Sequence, residues 1–376
     1  MASAKRLFVA IVGVGGVGTA FLSQLADLSE RLSGKTTKHV DLCVVYIGRS
    51  STCLLAGPDN PIYLDGRQAE LSSSSRPPLS PEELADMLAK LPGPAVLVDN
   101  TSSSQIAEAY SLFLRSRTHV VTPNKKAFSS DLGLWDSMFD VAANYGNTIP
   151  WAGSLFFGPA VHPRLPIVST LESIQDTGDE ITRIEGIFSG TMSVLFNNFS
   201  PASGVGGSFS GELKRAKDLG YTEPDPRDDL NGIDVARKLV TMARLCGSRI
   251  GSIADVKVQS LVPGALRDVI DRDEFVSSFA QFDIEWAQTR RQAAHENKVL
   301  RYVGSIDMAS GEVRAGVRKQ TKTHPFATLQ GSDNIISIYS RRYGDNPFIM
   351  QGGASGGELT AAGIIKDIIK VVDLIG

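Results

Sequence analysis

The stretch 5-KRLFVAIVGVGGVGTAFLSQLA-26 decides the fold. An apolar run from Leu7 to Val12 stops at glycines, and an amphipathic pattern then runs through Leu25. Between them Gly13-Val14-Gly15-Gly16-Val17-Gly18 satisfies G-x-G-x-x-G, with Gly13, Gly15 and Gly18 at the required spacing. Placed after a strand and opening a helix, these glycines permit a tight turn, backbone approach to a pyrophosphate, and close helix packing. A glycine-rich turn without a ligand is the competing reading. Lys5 and Arg6 ahead of the run give it the superficial look of a signal peptide, but the glycines interrupt it. The expectation is a buried strand in a cytoplasmic protein.

Working outward, short apolar runs alternate with helical patterns through the first third of the chain. After His39 to Ile47 come Ala95 to Val98, a helix through Leu114, and His119 to Val121. That alternation predicts a Rossmann-type α/β fold, a doubly wound parallel sheet covered by helices, over residues 1–150. Ser80 and Pro81 predict a capped helix start within a surface loop. After Pro150 helices and strands mix without strict alternation, which predicts a second α+β catalytic and dimerisation domain over 151–345. Residues 346–376, a glycine-rich loop and a strongly apolar helix, are expected to return to the nucleotide-binding domain, because alone that helix could not bury its apolar face.

Composition narrows the function. The chain has 376 residues, 42% hydrophobic and 21% charged, so it is globular and long enough for two cores. A net charge of −3 gives no reason to expect nucleic acid or an anionic membrane as partner. No uninterrupted apolar stretch of about twenty residues suggests a membrane span. Three cysteines, Cys43, Cys53 and Cys246, lack the spacing of a disulfide framework or zinc site and point to a reducing compartment. Small molecules or a second subunit remain as partners.

The end of the second strand usually carries an acid that hydrogen-bonds the adenosine ribose of NAD. Here it reads Tyr46-Ile47-Gly48-Arg49-Ser50-Ser51. An arginine among serines suits a 2′-phosphate, which favours NADP over NAD; a solvated Arg49 is the alternative. Ligands of doubly wound sheets sit at the carboxyl ends of strands. Asp99-Asn100-Thr101-Ser102-Ser103 and Thr122-Pro123-Asn124-Lys125-Lys126 follow two such ends, so Thr101 and Lys125 are candidate site residues.

A second cluster lies in 221-YTEPDPRDDLNGIDVARK-238. Asp234 and Lys238 are four apart on a predicted helix and share one face. An exposed ion pair flanked by turn and cap residues accounts for Asp225, Asp228 and Asn231. It is strained for Glu223 and Lys238 if these are buried. The functional reading is a pocket whose carboxylates hold a substrate ammonium beside a lysine that protonates a carbonyl being reduced. A lysine of ordinary pKa about 10.4 next to a carboxylate starts as the donor. Oxidation of the alcohol, which needs it deprotonated, is then expected to accelerate at alkaline pH.

With these residues in view, the chain resembles homoserine dehydrogenase, in its short monofunctional fungal form. The glycine loop, DNTSS, TPNKKAF, EGIFSGTMS, LGYTEPDPRDDLNGIDVARK and the closing TAAG helix match in order over essentially the full length. The resemblance implies reversible NAD(P)-dependent interconversion of L-aspartate 4-semialdehyde and L-homoserine, on the route to threonine, isoleucine and methionine. It assigns catalysis to Lys238 with Asp234, and substrate binding to Glu223, Asp234 and Asp229. Lys125 becomes a second lysine at the cofactor and substrate, and Thr101, Gly220 and Gly356 become cofactor contacts. It also implies a homodimer through the second domain's sheet, and no regulatory or kinase domain after the TAAG helix.

One segment departs from the pattern. Where the family carries Tyr-x-Glu and V-G-[AG]-G-[LI]-P, this chain reads GSLFFGPAVHPRLPIV over 153–168, with Gly158 in the glutamate's place. The family run offers backbone carbonyls to a monovalent cation, typically sodium; Val161 and Leu165 still match, with Gly158 and Pro163 beside them. A catalytically impaired NADP-binding homologue, or a mis-read exon boundary, are the readings that this departure raises. A cysteine-dependent aspartate-semialdehyde dehydrogenase is a further alternative, disfavoured because no cysteine lies at a predicted strand end with a polar partner.

Overall fold

Leu7, Val9 and Ile11 alternate with Phe8 and Ala10 along the first strand, and all five are buried, as the central strand of a sheet covered on both faces requires. The computed structural model describes residues 5–33, 40–64, 67–148, 153–353 and 356–375. Its contacts divide the chain into two compact units, Met1–Ile167 with Ser355–Gly376, and Val168–Ala354. Pro150, where the sequence reading sets its boundary, and His39 lie outside the described residues.

The first unit holds a six-stranded sheet in the order β3-β2-β1-β4-β5-β6. Its strands are β1 Lys5–Val12, β2 Val40–Gly48, β3 Cys53–Leu55, β4 Ala95–Asp99, β5 Thr118–Val121 and β6 Leu155–Phe156. All pairings are parallel except β2 with β3. The chain leaves β1 to one side and returns to its other side at β4, so the carboxyl ends of β1 and β4 form the switch point where such sheets bind ligands. One face of β1 packs on the helix Gly16–Ser33 and on the C-terminal helix Gly357–Ile375, whose Ile364, Ile368 and Val371 are fully buried. Each aliphatic side chain so buried contributes about 1.5–3 kcal/mol. The apolar C-terminal helix therefore has its covered face within this unit.

The second unit holds a sheet in the order β12-β11-β7-β9-β10-β8, with β7 Ile181–Ile187, β8 Lys257–Val258, β9 Lys298–Asp307, β10 Val313–Thr321, β11 Asn334–Ser340 and β12 Phe348–Gly352. Its pairings are antiparallel except for the short β8 with β10. β12 is an edge strand of this sheet, whereas the sequence reading ends the second domain at 345. Against the sheet lies the helix Ile233–Leu245, whose Val235, Ala236, Leu239, Val240, Met242 and Ala243 are buried. The predicted cap is present too: Ser80 and Glu83 form a reciprocal capping box on the helix Pro81–Ala89.

Candidate functional site

In the first unit the glycine loop is built for close approach. Gly13 has φ +92°, and a Cβ on Gly18 would stand 2.1 Å from the Gly13 carbonyl oxygen, so the turn and the helix start admit no side chain there. A Cβ on Gly15 or Gly16 would meet open space. These two glycines, with Val14 and Val17 between them and their neighbours, thus leave room for a ligand where the protein itself has no atoms to fill it. Beside the loop, both side-chain polar atoms of Asn100 are buried without a hydrogen-bond partner among the described residues. A bared backbone at a helix N-terminus next to an unsatisfied amide fits a dinucleotide pyrophosphate.

Arg49 follows β2 and reaches back to this loop, its guanidinium donating to Ser72 Oγ at 3.2 Å and to the Val14 carbonyl at 3.5 Å. Gly356 precedes the C-terminal helix and accepts from the Thr360 N–H at 3.0 Å. The next residue, Gly357, faces the Gly16 carbonyl.

The two polar strand ends are tied together by a network that sequence reading missed. Asp99, fully buried at the end of β4, accepts from the Thr101 N–H at 2.8 Å, the Tyr110 hydroxyl at 2.5 Å and Asn124 Nδ2 at 3.0 Å. Thr122 donates to the Asp99 carbonyl at 2.9 Å and accepts from the Asn124 N–H at 2.9 Å. Burial raises the Asp99 carboxyl while these donors lower it, with a net rise. Thr101 and Lys125 are in this way held on loops that share one buried carboxylate.

In the second unit Lys238 is buried, its side chain only 11% exposed. Nζ donates to the Phe188 carbonyl at 2.7 Å and pairs with Asp234 Oδ2 at 2.9 Å. Phe188 follows β7, and the Lys238 helix begins at Gly232, φ +75°, where a Cβ would stand 2.2 Å from the Tyr302 hydroxyl oxygen. The left-handed backbone and the close Tyr302 hydroxyl both favour glycine at that start. Asp234 is 44% exposed, so one end of the pair meets solvent while the other is dry.

Glu223 is exposed, so only Lys238 of the two residues that strained the surface reading is buried. The Glu223 N–H donates to Asp229 Oδ2 at 2.7 Å, and Asp229 Oδ1 lies 2.7 Å from the Thr191 hydroxyl. Burial pushes the Asp229 carboxyl up to about 6. Thr191 sits in the first turn of the helix Gly190–Phe199, which Ser189 caps. Gly220 closes the loop that leads from the helix Phe209–Asp218 into Tyr221. Asp225 caps the helix Pro226–Leu230 and binds Arg227 at 2.7 Å, which occupies it structurally.

The divergent segment forms β6 and a short helix, Gly158–Val161. The Gly158 N–H donates to Asp367 Oδ2 at 3.1 Å, and His162 Nδ1 accepts the Leu165 N–H at 3.0 Å. The carbonyls of Gly158 and Leu165 accept from the His162 and Ile167 N–H groups, while the Pro163 carbonyl faces Gly363. Two of the three cysteines have thiols raised by burial, and the third, Cys43, is buried and accepts from Arg6 Nε at 3.3 Å. Burial pushes the Cys246 thiol up to about 12, and Cys53 is also raised and hydrogen-bonded to the Pro77 carbonyl.

A family model described as homoserine dehydrogenase matches residues 166–369, and one described as homoserine dehydrogenase, NAD binding domain, matches residues 13–151. The homoserine dehydrogenase of Emericella nidulans is 44% identical, covering 98% of this chain and 98% of its own. That of Saccharomyces cerevisiae is 42% identical, covering 98% and 99%. Among solved structures, a Candida auris protein of unknown function is similar at TM-score 0.88 and 38% identity, over 98% of this chain and 99% of its own. A hyperthermophilic archaeal homoserine dehydrogenase in complex with NADPH shares the fold at TM-score 0.69 and 22% identity, over 97% of each chain.

Proposed function

We propose a division of work among these residues from the premise that the chain belongs to the homoserine dehydrogenase family, NAD(P)-dependent oxidoreductases acting on a CH–OH group. The reaction is the reversible reduction of L-aspartate 4-semialdehyde to L-homoserine. Identity to curated homoserine dehydrogenases runs through the full chain and sets aside the impaired-homologue reading.

Lys238 is the proton donor to the carbonyl oxygen, and the observation that carries this role is its buried Nζ held between the Phe188 carbonyl and Asp234. The Phe188 carbonyl and Asp234 hold the ammonium in place, and an ammonium so held is a proton donor for a substrate oxygen. A nicotinamide, when bound, would supply the hydride; Lys238 Nζ gives its proton to the carbonyl oxygen as the alcohol forms and takes one back in the reverse direction. Asp234 keeps Nζ oriented and joins Glu223 in holding the substrate's polar groups. Glu223, exposed and fixed through its backbone by Asp229, takes the ammonium. Gly13, Val14, Gly15, Gly16, Val17 and Gly18 cradle the pyrophosphate, and Thr101, Lys125, Gly220 and Gly356 complete the cofactor contacts. Lys125 also serves the reacting group.

NADP is the preferred cofactor, supported by Arg49 at the glycine loop and by the lack of an acid among residues 46–51. Arg49→Ala then raises KM for NADPH more than KM for NADH. A monovalent cation at Gly158, Val161, Pro163 and Leu165 rests on the resemblance alone, and activity equal in sodium and in tetramethylammonium buffers would exclude it. A cytoplasmic location is supported by three unpaired thiols. A homodimer is supported by the edge strand β12 with Phe348 and Ile349 exposed, and light scattering that returns the mass of one chain refutes it. The function as a whole is tested by NADPH consumption that depends on L-aspartate 4-semialdehyde; no turnover of that substrate, or of L-homoserine in reverse, overturns the assignment.

A further inference from the structure

Thr191 poses a problem of counting hydrogens. Its Oγ1 lies 2.7 Å from the Tyr221 carbonyl oxygen and 2.7 Å from Asp229 Oδ1. A hydroxyl carries one proton, so it cannot donate to both. If Asp229 is ionised, one of these contacts sets two acceptors together with no hydrogen between them. If Asp229 is a carboxylic acid, every contact is satisfied: Oδ1–H donates to Thr191, and Thr191 donates to the Tyr221 carbonyl. The other oxygen, Oδ2, faces a donor, the Glu223 N–H, whereas Oδ1 faces the Thr191 hydroxyl oxygen, which can accept a hydrogen bond. The proton therefore belongs on Oδ1, the oxygen that has an acceptor opposite it.

The surrounding charges act in the same direction. Burial is the largest influence raising the Asp229 carboxyl, and the charges of Glu223 and Asp234 add to it, against the hydrogen bonds from Thr191 and the Glu223 N–H, for a net value of about 6. Asp234 is itself paired with Lys238. The helix Gly190–Phe199 presents only the neutral Thr191. On the helix that carries Asp229, Asp228 is exposed and Arg227 is bound to Asp225.

We propose that Asp229 carries a proton shared with Thr191 in the ligand-free protein, and releases it when an amino acid's ammonium docks at Glu223. This rests on the substrate reading given above. The ammonium cancels the negative charge that helps keep Asp229 neutral. The Oδ1–H bond then breaks, the proton passes to solvent, and the Thr191 hydroxyl turns to donate to the new carboxylate, giving up its donation to the Tyr221 carbonyl. Asp229 is a positioning residue in this scheme, because it holds the Glu223 backbone in both states.

The test is calorimetric titration of the NADPH-loaded protein with L-homoserine, in pairs of buffers that differ in ionisation enthalpy. At about pH 6 the wild type is expected to release about half a proton per homoserine bound, falling toward none by about pH 8. Asp229→Asn keeps an N–H where the acid's O–H stands. It should bind homoserine with no proton release across that range, and with an affinity that does not vary with pH. Homoserine binding by the wild type without proton release near pH 6 overturns this proposal alone, as does equal release by Asp229→Asn. Absence of homoserine binding at every pH overturns the substrate reading itself.

Discussion

Replacing Lys238 by methionine separates its chemical role from its structural one. Methionine fills the apolar stem of the lysine but offers no proton and no donor. Two contacts disappear, the 2.7 Å bond to the Phe188 carbonyl and the 2.9 Å pair with Asp234. The carbonyl follows a buried strand, and losing a charged donor there costs about 1.5–3 kcal/mol. The ion pair adds little, because Asp234 is 44% exposed and can be hydrated in place of its partner. Relief from burying an ammonium offsets part of the loss. A net destabilisation of about 1–2 kcal/mol follows, which in a unit of this size lowers Tm by roughly 2–8 °C. Loss of a general acid costs about 10²–10⁴-fold in rate. The assay is initial-rate NADPH oxidation with L-aspartate 4-semialdehyde, run beside thermal unfolding of the same preparation. A variant that unfolds within the expected Tm range yet keeps kcat within about tenfold of wild type refutes Lys238 as the proton donor.

Three other outcomes follow from the same geometry. Gly18→Ala forces a Cβ to 2.1 Å from a carbonyl oxygen and should lower Tm, whereas Gly15→Ala meets open space and should spare Tm while weakening NADPH binding; fluorescence titration and thermal unfolding read the two effects apart. Arg301, 1% exposed, donates to the Phe326, Ser200, Leu300 and Ala327 carbonyls at 2.7–2.9 Å, so Arg301→Ala should lose about 3 kcal/mol or more in urea unfolding. His119, buried with Nδ1 accepting the Ser154 N–H, is pushed down to about 4; stability contributed by the neutral ring is complete above an unfolded value of about 6.5 and is lost as pH falls toward 4, by up to about 3 kcal/mol. Across that window His119→Asn should show a shallower fall in Tm than wild type.

Sequence was most readable where the physics is local. The glycine loop, the alternation of apolar runs with helical patterns, the helix cap at Ser80 with Pro81 after it, and the spacing of Asp234 and Lys238 all depend on neighbours within a turn or two. It was least readable where distant segments meet. Spacing placed Asp234 and Lys238 on one face but did not say which end would be dry; the Phe188 carbonyl, fifty residues upstream, settles that. Thr191 stood inside a motif singled out for resemblance, yet its tie to Asp229 spans thirty-eight residues and has no local signature. Nothing in the sequence around Tyr110 announces that its hydroxyl joins Asp99 to Thr122. The edge strand Phe348–Gly352 escaped notice because most of its residues face solvent, so the burial pattern that marks a strand is weak there.

Distant contacts also shape the segment 153–168. A glutamate expected at position 158 is glycine, and read locally that is a lost carboxylate. In the fold a carboxylate stands there regardless, supplied by Asp367 of the C-terminal helix. It is 2% exposed, accepts the Gly158 N–H, and pairs with Lys370 at 2.8 Å. A Cβ on Gly158 would already come within 3.3 Å of Asp367 Oδ2, so a glutamate and Asp367 would set two acids against each other in a buried space. Glycine at 158 and the acid at 367 are therefore in direct contact and suit each other sterically. His162 continues it, since its Nδ1 accepts from the turn that leads to Leu165 and holds that turn without the glycines of the family run. The segment that reads as divergent thus keeps the backbone of its turn hydrogen-bonded and has a buried acid beside it.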